Sequence, residues 1–169
     1  MIKKNTPADD VLCHGKKCDR KNHCCKMGSG FLIKDDLDKI AEFLKISVDS
    51  LKDIRLDAVE MFNTTLHKPK LDKKKGKHYG PCTFFDGKGC SIHEVKPLGC
   101  KVGNCSEHGE KLHLWFMLNH FLNDEDPESI RQYATYLKSG GKTLDGGELK
   151  NIVKDETLLN KILNFEILR

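Results

Sequence analysis

Residues 80–101, GPCTFFDGKGCSIHEVKPLGCK, hold the strongest structural signal in this chain. They carry three of the eight cysteines, one more follows at Cys105, and a second block lies between Cys13 and Cys25. Thiolate is a soft ligand that selects zinc, cuprous copper or iron–sulfur cores over calcium and magnesium. The cysteines therefore predict a metal centre, with eight candidate ligands. These are Cys13, Cys18, Cys24, Cys25, Cys82, Cys90, Cys100 and Cys105.

Length and composition predict one water-soluble unit. The chain has 169 residues, of which 38% are hydrophobic, which suits one core better than two independent ones. Its mean hydropathy is -0.53, and no apolar stretch approaches the roughly 20 residues that cross a bilayer. We expect a single domain over residues 1–169, with a cysteine-cluster region at 13–105 and a helical C-terminal part of the same core at 106–169.

The N-terminal residues predict a cytoplasmic protein. They carry positive charge with no apolar segment behind it, so we expect no secretory signal. In a reducing compartment, metal ligation or redox chemistry explains eight cysteines better than a disulfide framework does.

Between the two cysteine blocks, the spacing of apolar residues predicts helices. The segment from Asp35 to Lys45 places leucine and isoleucine at helical intervals, and Ser47 can cap a second, short helix. In the second block, apolar residues flank Asp86 and Gly87 in a strand–turn–strand pattern. We therefore expect a small β-hairpin between Cys82 and Ile92.

The C-terminal part predicts further helices. Residues 112–122 are apolar nearly all round, which indicates a buried helix or, as the weaker alternative, a strand. Asp126 and Pro127 form a strong helix start, and residues 149–163 form a last amphipathic segment. The expected fold is α+β, mainly α: a small metal-organised cysteine-rich unit with one short β-hairpin packed on C-terminal helices.

Positive charge is concentrated between Lys68 and Lys77. This segment contains six lysines and one aspartate, within a chain whose formal net charge is +4. It predicts an exposed loop that is either simply solvated or a docking surface for an acidic partner or RNA. Tyr79 is the one aromatic residue beside it, so base stacking has little support and a nucleic-acid partner is disfavoured.

Cysteine spacing alone leaves the metal open between zinc and an iron–sulfur cluster. It matches neither a two-cluster ferredoxin nor a zinc ribbon with paired two-residue knuckles. In extended backbone, Cys24 and Cys25 would point to opposite sides and serve different sites. Glycines beside the thiols would let backbone N–H groups approach sulfur. These glycines are Gly80, Gly89, Gly99 and Gly103.

Four histidines lie near the cysteine blocks and are alternative ligands. For each of them taken alone, an ordinary polar histidine is the simpler interpretation. They are His14, His23, His93 and His108.

The motifs at residues 80–101 closely resemble the signature of the YkgJ-like cysteine-cluster family. They comprise Gly-Pro-Cys, an aromatic pair, Cys-x-Ile-His-Glu, Lys-Pro and Cys-Lys, with a final cysteine at Cys105. The first block resembles that family's N-terminal run ending in Cys-Cys, so the resemblance covers residues 13–105. Members are described as zinc- or iron-chelating and as containing iron–sulfur clusters. The resemblance implies metal or cluster binding by these cysteines and assigns no reaction.

This sequence departs from the family pattern at several positions. Its first cysteines are more widely spaced than the usual two residues, lysine replaces arginine at Lys96 and Lys101, and Asn104 stands where proline is usual. Related modules also occur in flagellin lysine methylases, but this chain is too short to carry that enzyme whole.

Two functions from different classes follow. The first is a cytoplasmic iron–sulfur protein, with one or two 4Fe-4S clusters, that transfers electrons to or from a protein partner or performs cluster-assisted chemistry. The second is a Zn²⁺-binding structural or interaction module whose basic loop docks an acidic partner. No membrane partner is expected. An enzyme of methyl or sulfur transfer lacks a cofactor fingerprint here, so no catalytic residue is assigned; Cys13 is the natural candidate for a thiolate left outside the metal.

Overall fold

The computed structural model describes residues 1–16 and 22–168. Helices account for 47% of the described residues, and the same residues form a single two-stranded antiparallel sheet. The predicted α+β, mainly α, fold class is confirmed. In chain order the elements are α1 (Ala8–Gly15), α2 (His23–Met27), α3 (Lys34–Leu44), α4 (Val48–Arg55), β1 (Leu56–Met61), β2 (Thr64–Pro69), a 3-10 turn (His93–Val95), α5 (Leu98–Val102), α6 (Gly109–His120), α7 (Pro127–Lys138), α8 (Leu149–Ile152) and α9 (Glu156–Leu163).

Helices α3 and α4 form where the sequence predicts them, because local hydrogen bonds fix their starts. The buried Asp36 carboxylate accepts the N–H of Ile33 at 3.0 Å, which satisfies a donor at the start of α3. The hydroxyl oxygen of Ser47 accepts the N–H of Ser50 at 3.1 Å and caps α4. Asp36 also accepts the N–H of Leu98 at 2.9 Å, so the same carboxylate ties α3 to the start of α5.

The β-hairpin lies at Leu56–Met61 and Thr64–Pro69, not between Cys82 and Ile92 as the sequence pattern predicts. Phe62 and Asn63 make its turn, with φ of 50° and 57°. Positive φ at both central residues is the geometry that matches the twist of a two-residue hairpin. The first residues of the lysine-rich segment, Lys68 and Pro69, therefore belong to β2 and not to a loop.

Between Cys82 and Ile92 the chain forms a compact turn with one isolated bridge between Phe85 and Cys90. The side chain of Asp86 explains why no longer ladder forms. One of its carboxylate oxygens accepts the N–H groups of Lys88 at 2.8 Å and Gly89 at 2.7 Å. An aspartate that closes a turn in this way competes with strand pairing.

The chain divides into two compact units. One, here called the helical unit, consists of residues 1–11, 60–65 and 110–169. The other, here called the cysteine unit, consists of residues 12–59 and 66–109 and contains every described cysteine. The single-domain prediction for residues 1–169 stays a prediction.

The helical unit confirms the predicted C-terminal helices. Helix α6 buries Leu112 and residues 114–118, as its apolar sequence predicts. Helix α7 begins at Pro127, and the Asp126 carboxylate caps it by accepting the N–H of Glu128 at 3.0 Å. The predicted last segment is two helices, α8 and α9, because Asp155 starts a new cap there by accepting the N–H of Leu158 at 3.0 Å.

The cysteine unit has its own apolar core, to which α3, α4 and the segment around Cys82 contribute. Its buried members are Leu32, Leu37, Ile40, Ala41, Leu51, Leu56, Cys82, Phe84 and Ile92. None of the helices in the described part of the chain combines the length and the apolar character needed to traverse a bilayer.

Candidate metal centre

Five cysteines from three separate stretches of the cysteine unit lie within electrostatic reach of one another. Ionised Cys25 is repelled by the thiolates of Cys24, Cys82 and Cys90, and ionised Cys100 is repelled by those of Cys82 and Cys25. A backbone hydrogen bond of 2.8 Å from the N–H of Cys82 to the carbonyl of Cys25 joins the two blocks directly. We call these residues the five-thiol group: Cys24, Cys25, Cys82, Cys90 and Cys100.

Cys24 and Cys25 lie in α2, so the extended backbone that the sequence argument assumed for them is wrong. Neighbouring side chains on a helix point about 100° apart, not to opposite sides. Asn22, with φ of 59°, turns the chain into α2, and its side-chain amide donates to the carbonyl of Lys88 at 2.8 Å. This bond brings the start of α2 to the turn that precedes Cys90.

Two backbone bridges position the middle pair of thiols. Cys82 pairs with Leu71 in one antiparallel bridge, and Cys90 pairs with Phe85 in another. The side chain of Cys82 is only 9% exposed and belongs to the apolar core of the cysteine unit. The core therefore fixes the position of this thiol.

Cys100 receives a hydrogen bond from a residue that lies 70 positions earlier in the chain. The N–H of Gly30 donates to the Cys100 sulfur at an N to Sγ distance of 3.2 Å. A Cβ on Gly30 would lie 2.5 Å from the backbone nitrogen of Cys100, and one on Gly99 would lie 2.5 Å from the nitrogen and oxygen of Phe31. Real Cβ atoms do not approach backbone so closely, so the close contact between these two segments of the chain requires glycine on each of them.

The sequence predicts N–H groups near sulfur at Gly80, Gly89, Gly99 and Gly103, whereas the N–H that donates to the Cys100 sulfur belongs to Gly30. Gly99 does take part in the close contact, whereas Gly89 has no atom within 4 Å of an added Cβ. Gly30, which donates the N–H, stands in the sequence only as part of a break before α3. A glycine shortly after the Cys-Cys pair is the one signal that could have suggested it.

Burial and repulsion between thiolates raise the pKa of three thiols of this group, Cys25, Cys82 and Cys100. Burial, followed by repulsion from Cys24, Cys90 and Cys82, raises the pKa of Cys25 to about 11. Burial also raises the pKa of Cys100 to about 12, against the opposing effects of the Gly30 N–H and Lys96. Burial raises the pKa of Cys82 as well. A cation among these sulfurs would offset both the cost of burying thiolates and their mutual repulsion. Because thiolate is a soft ligand, zinc or iron suits this set of sulfur atoms.

Lys96 is a functional neighbour that sequence reasoning missed. Its positive charge acts to lower the pKa of Cys25 and of Cys100, and so opposes part of the rise that burial causes. A site of four thiolates around a 2+ core carries a net charge of about -2, so a nearby ammonium offsets part of it. In the sequence, Lys96 appears only as a lysine where the family usually has arginine.

Two of the predicted ligands, Cys13 and Cys105, are exposed and do not belong to the five-thiol group. Both are near a contact between two histidine rings. The rings of the neighbouring residues His14 and His108 meet edge to face, 4.9 Å between centroids. The side chain of Asn104 donates to the carbonyl of His14 at 2.9 Å. Ligation by Cys13 and Cys105 stays a prediction, and Cys18 lies outside the described residues.

The histidines have different surroundings. His23 and His93 are exposed, whereas Nδ1 of His14 is buried with no hydrogen-bond partner among the described residues. Within residues 1–16 and 22–168, no three His, Cys, Asp or Glu side chains stand close enough together to hold one metal ion as they are. Ligation by a histidine stays a prediction.

A small helical protein with adjoining thiols on α2, α5 and the turns between them is, by class, a cysteine-rich metal-binding protein. Residues 13–126, more than half of the chain, match the CxxCxxCC family, described as "Putative zinc- or iron-chelating domain". The chain belongs to this family, and the resemblance to YkgJ-like proteins is confirmed. The search of curated proteins and the search of solved structures each found no match.

Proposed function

We propose that this protein is a cytoplasmic iron–sulfur protein that holds a 4Fe-4S cluster on its cysteines and serves electron transfer or cluster-assisted chemistry. The observation that carries the proposal is the five-thiol group, in which α2, the segment with Cys82 and Cys90, and α5 bring thiols within electrostatic reach of one another. Membership of a zinc- or iron-chelating family supports metal binding and leaves the metal open.

Two features favour a cluster over a single zinc ion. The thiols of the group are spread over residues 24–100, and the wider inorganic core of a cluster suits ligands set farther apart. The Gly30 N–H at the Cys100 sulfur is the kind of hydrogen bond that stabilises a reduced cluster and tunes its potential.

Metal and sulfide analysis tests this proposal directly. We expect protein purified without oxygen to be brown and to contain iron and acid-labile sulfide in equal amounts, about four of each per cluster. Exposure to air should bleach the colour and release iron. Stoichiometric zinc without sulfide would contradict the proposal.

A zinc-binding structural or interaction module is the second candidate, and the burial of Cys82 in the apolar core favours it. A metal bound at a core residue contributes its binding free energy to folding. This candidate predicts a colourless, air-stable protein that unfolds when a chelator removes zinc.

Metal uptake should release protons, whichever metal is bound. Because the pKa of Cys25 is raised to about 11 and that of Cys100 to about 12, both thiols of the metal-free protein are protonated at neutral pH. Each must lose its proton to bind metal. The apparent affinity should therefore rise with pH below these values, about tenfold per pH unit for each proton released.

Calorimetric titration of metal-free protein with Zn²⁺, in two buffers of different ionisation enthalpy, measures this release. We expect about three protons or more per ion near pH 7, since the pKa of Cys82 is raised as well. Ca²⁺, which avoids sulfur ligands, is the control and should release none. Zinc binding with fewer than one proton released would show that these thiols are not ligands.

A further inference from the structure

The strongest concentration of charge in the cysteine unit is the loop formed by residues 72–81, here called the basic loop. Four of its lysines are exposed, and none of the ion pairs within the described residues involves them. They are Lys73, Lys74, Lys75 and Lys77. Lysine side chains without a carboxylate partner keep their full charge available to another molecule.

The basic loop has a closed neck. The N–H of Asp72 donates to the carbonyl of Pro81 at 2.8 Å, and the N–H of Thr83 donates to the carbonyl of Lys70 at 2.8 Å. Gly80 makes the neck tight, because a Cβ there would lie only 2.2 Å from the carbonyl oxygen of Asp72. The two sides of the loop are therefore held together at its base and cannot spread without breaking these bonds.

The neck leads directly into the five-thiol group. The residues that pair next to it are Leu71 and Cys82, and Cys82 in turn donates its N–H to the carbonyl of Cys25. On the other side, the ammonium of Lys70 donates to the carbonyl of Asp53 at 2.6 Å, which fixes the neck to α4. A molecule bound on the basic loop is thus held beside the candidate metal centre.

We propose that the basic loop docks an acidic protein surface and holds it next to the five-thiol group. Lysine ammoniums are point charges that pair well with scattered surface carboxylates. Nucleic acid is the weaker fit, because the loop has no arginine and the ring of its one tyrosine, Tyr79, lies under Lys77 at 5.3 Å from Nζ to the centroid. The inference goes beyond the proposed function and holds for either metal.

The test measures binding of a fluorescein-labelled oligo-glutamate peptide to the purified, metal-loaded protein at low ionic strength. The variant replaces the four exposed lysines of the loop: Lys73→Gln, Lys74→Gln, Lys75→Gln and Lys77→Gln. We expect binding to weaken by about tenfold or more and its salt dependence to become shallower, because several weak ion pairs are lost together. Equal binding by wild type and this variant would overturn the proposal.

A matched control variant distinguishes a specific effect of the basic loop on binding from an effect of net charge. It neutralises four exposed lysines elsewhere in the described chain: Lys34→Gln, Lys39→Gln, Lys150→Gln and Lys161→Gln. Its net charge equals that of the loop variant, so we expect it to bind the peptide nearly as wild type does. If the two variants weaken binding equally, binding depends only on the net charge of the protein, and the proposed docking site is refuted.

Two further measurements test a nucleic-acid partner and guard against a variant that does not fold. An oligothymidylate of equal charge replaces the peptide, and tighter binding of that probe to the loop would assign the surface to nucleic acid and overturn the proposal. If the fourfold variant does not fold, the double variant Lys74→Gln and Lys75→Gln replaces it, with an expected weakening of about threefold. Metal content should be unchanged in every variant, so this test and the iron and sulfide analysis fail independently.

Discussion

Protein with Cys100→Ser is expected to lose its metal on purification. Cys100 is the thiol whose pKa is raised furthest, to about 12, and its sulfur accepts the Gly30 N–H. Serine keeps the size and the hydrogen bond but offers a hard hydroxyl, which zinc and iron–sulfur cores bind poorly. We expect metal affinity to fall on the order of 100-fold, which corresponds to about 3 kcal/mol.

The same substitution should destabilise the fold, because the free energy of metal binding is part of the free energy of folding. Urea unfolding of the metal-loaded wild type and the variant as purified should show a loss of about 3 kcal/mol. In the metal-free state the two proteins should differ much less, since serine fills nearly the same space. A difference that persists at full size without metal would assign Cys100 to packing alone.

Cys13→Ser is the matched control, because Cys13 is exposed and lies outside the five-thiol group. We expect it to keep the metal of that group and nearly all of the wild-type stability. If Cys13→Ser strips the metal as completely as Cys100→Ser does, the first cysteine belongs to the same centre. If Cys100→Ser retains its metal, Cys100 is not one of the ligands.

Local hydrogen bonds explain which elements the sequence could predict. Ser47 and Asp126 each accept an N–H two or three residues ahead, so the start of α4 and that of α7 are encoded within a few residues. The hairpin has no comparable local signal. Phe62 in its turn has φ of 50°, which bulky residues avoid, and contacts with the rings of Tyr133 and Tyr136, 5.2 Å and 5.6 Å between centroids, accompany that conformation.

The candidate site shows the same division between local and distant information. The number and softness of the thiols could be predicted from composition, because ligand chemistry does not depend on the fold. The Gly30 bond to Cys100 could not, since it joins residues 70 positions apart and only the folded chain brings them together. Lys96 was missed for the same reason, because its electrostatic effect on Cys25 joins residues that are far apart in the chain.

Gly99→Ala should be among the most damaging single substitutions in the cysteine unit, although alanine is normally the better helix residue. In α5, the exchange would gain about 1 kcal/mol of helix propensity. Against this, the new Cβ would lie 2.5 Å from both the nitrogen and the oxygen of Phe31, and backbone has little freedom to yield. The shift would break the bond from the Gly99 N–H to the Phe31 carbonyl, 3.0 Å, and the bond from Gly30 to the Cys100 sulfur.

The clash at Gly99 costs more free energy of unfolding than the higher helix propensity of alanine contributes. Overpacking costs about 1–3 kcal/mol, and each lost hydrogen bond costs about 1 kcal/mol, so the clash outweighs the propensity gain. We expect a net loss of about 2–4 kcal/mol in urea unfolding, together with reduced metal content. Gly89→Ala is the matched control, because Gly89 also directly precedes a cysteine yet has no atom within 4 Å of an added Cβ. That variant should stay within about 0.5 kcal/mol of wild type and keep its metal; equal effects at the two glycines would mean that the close contact at Gly99 does not hold Cys100 in place.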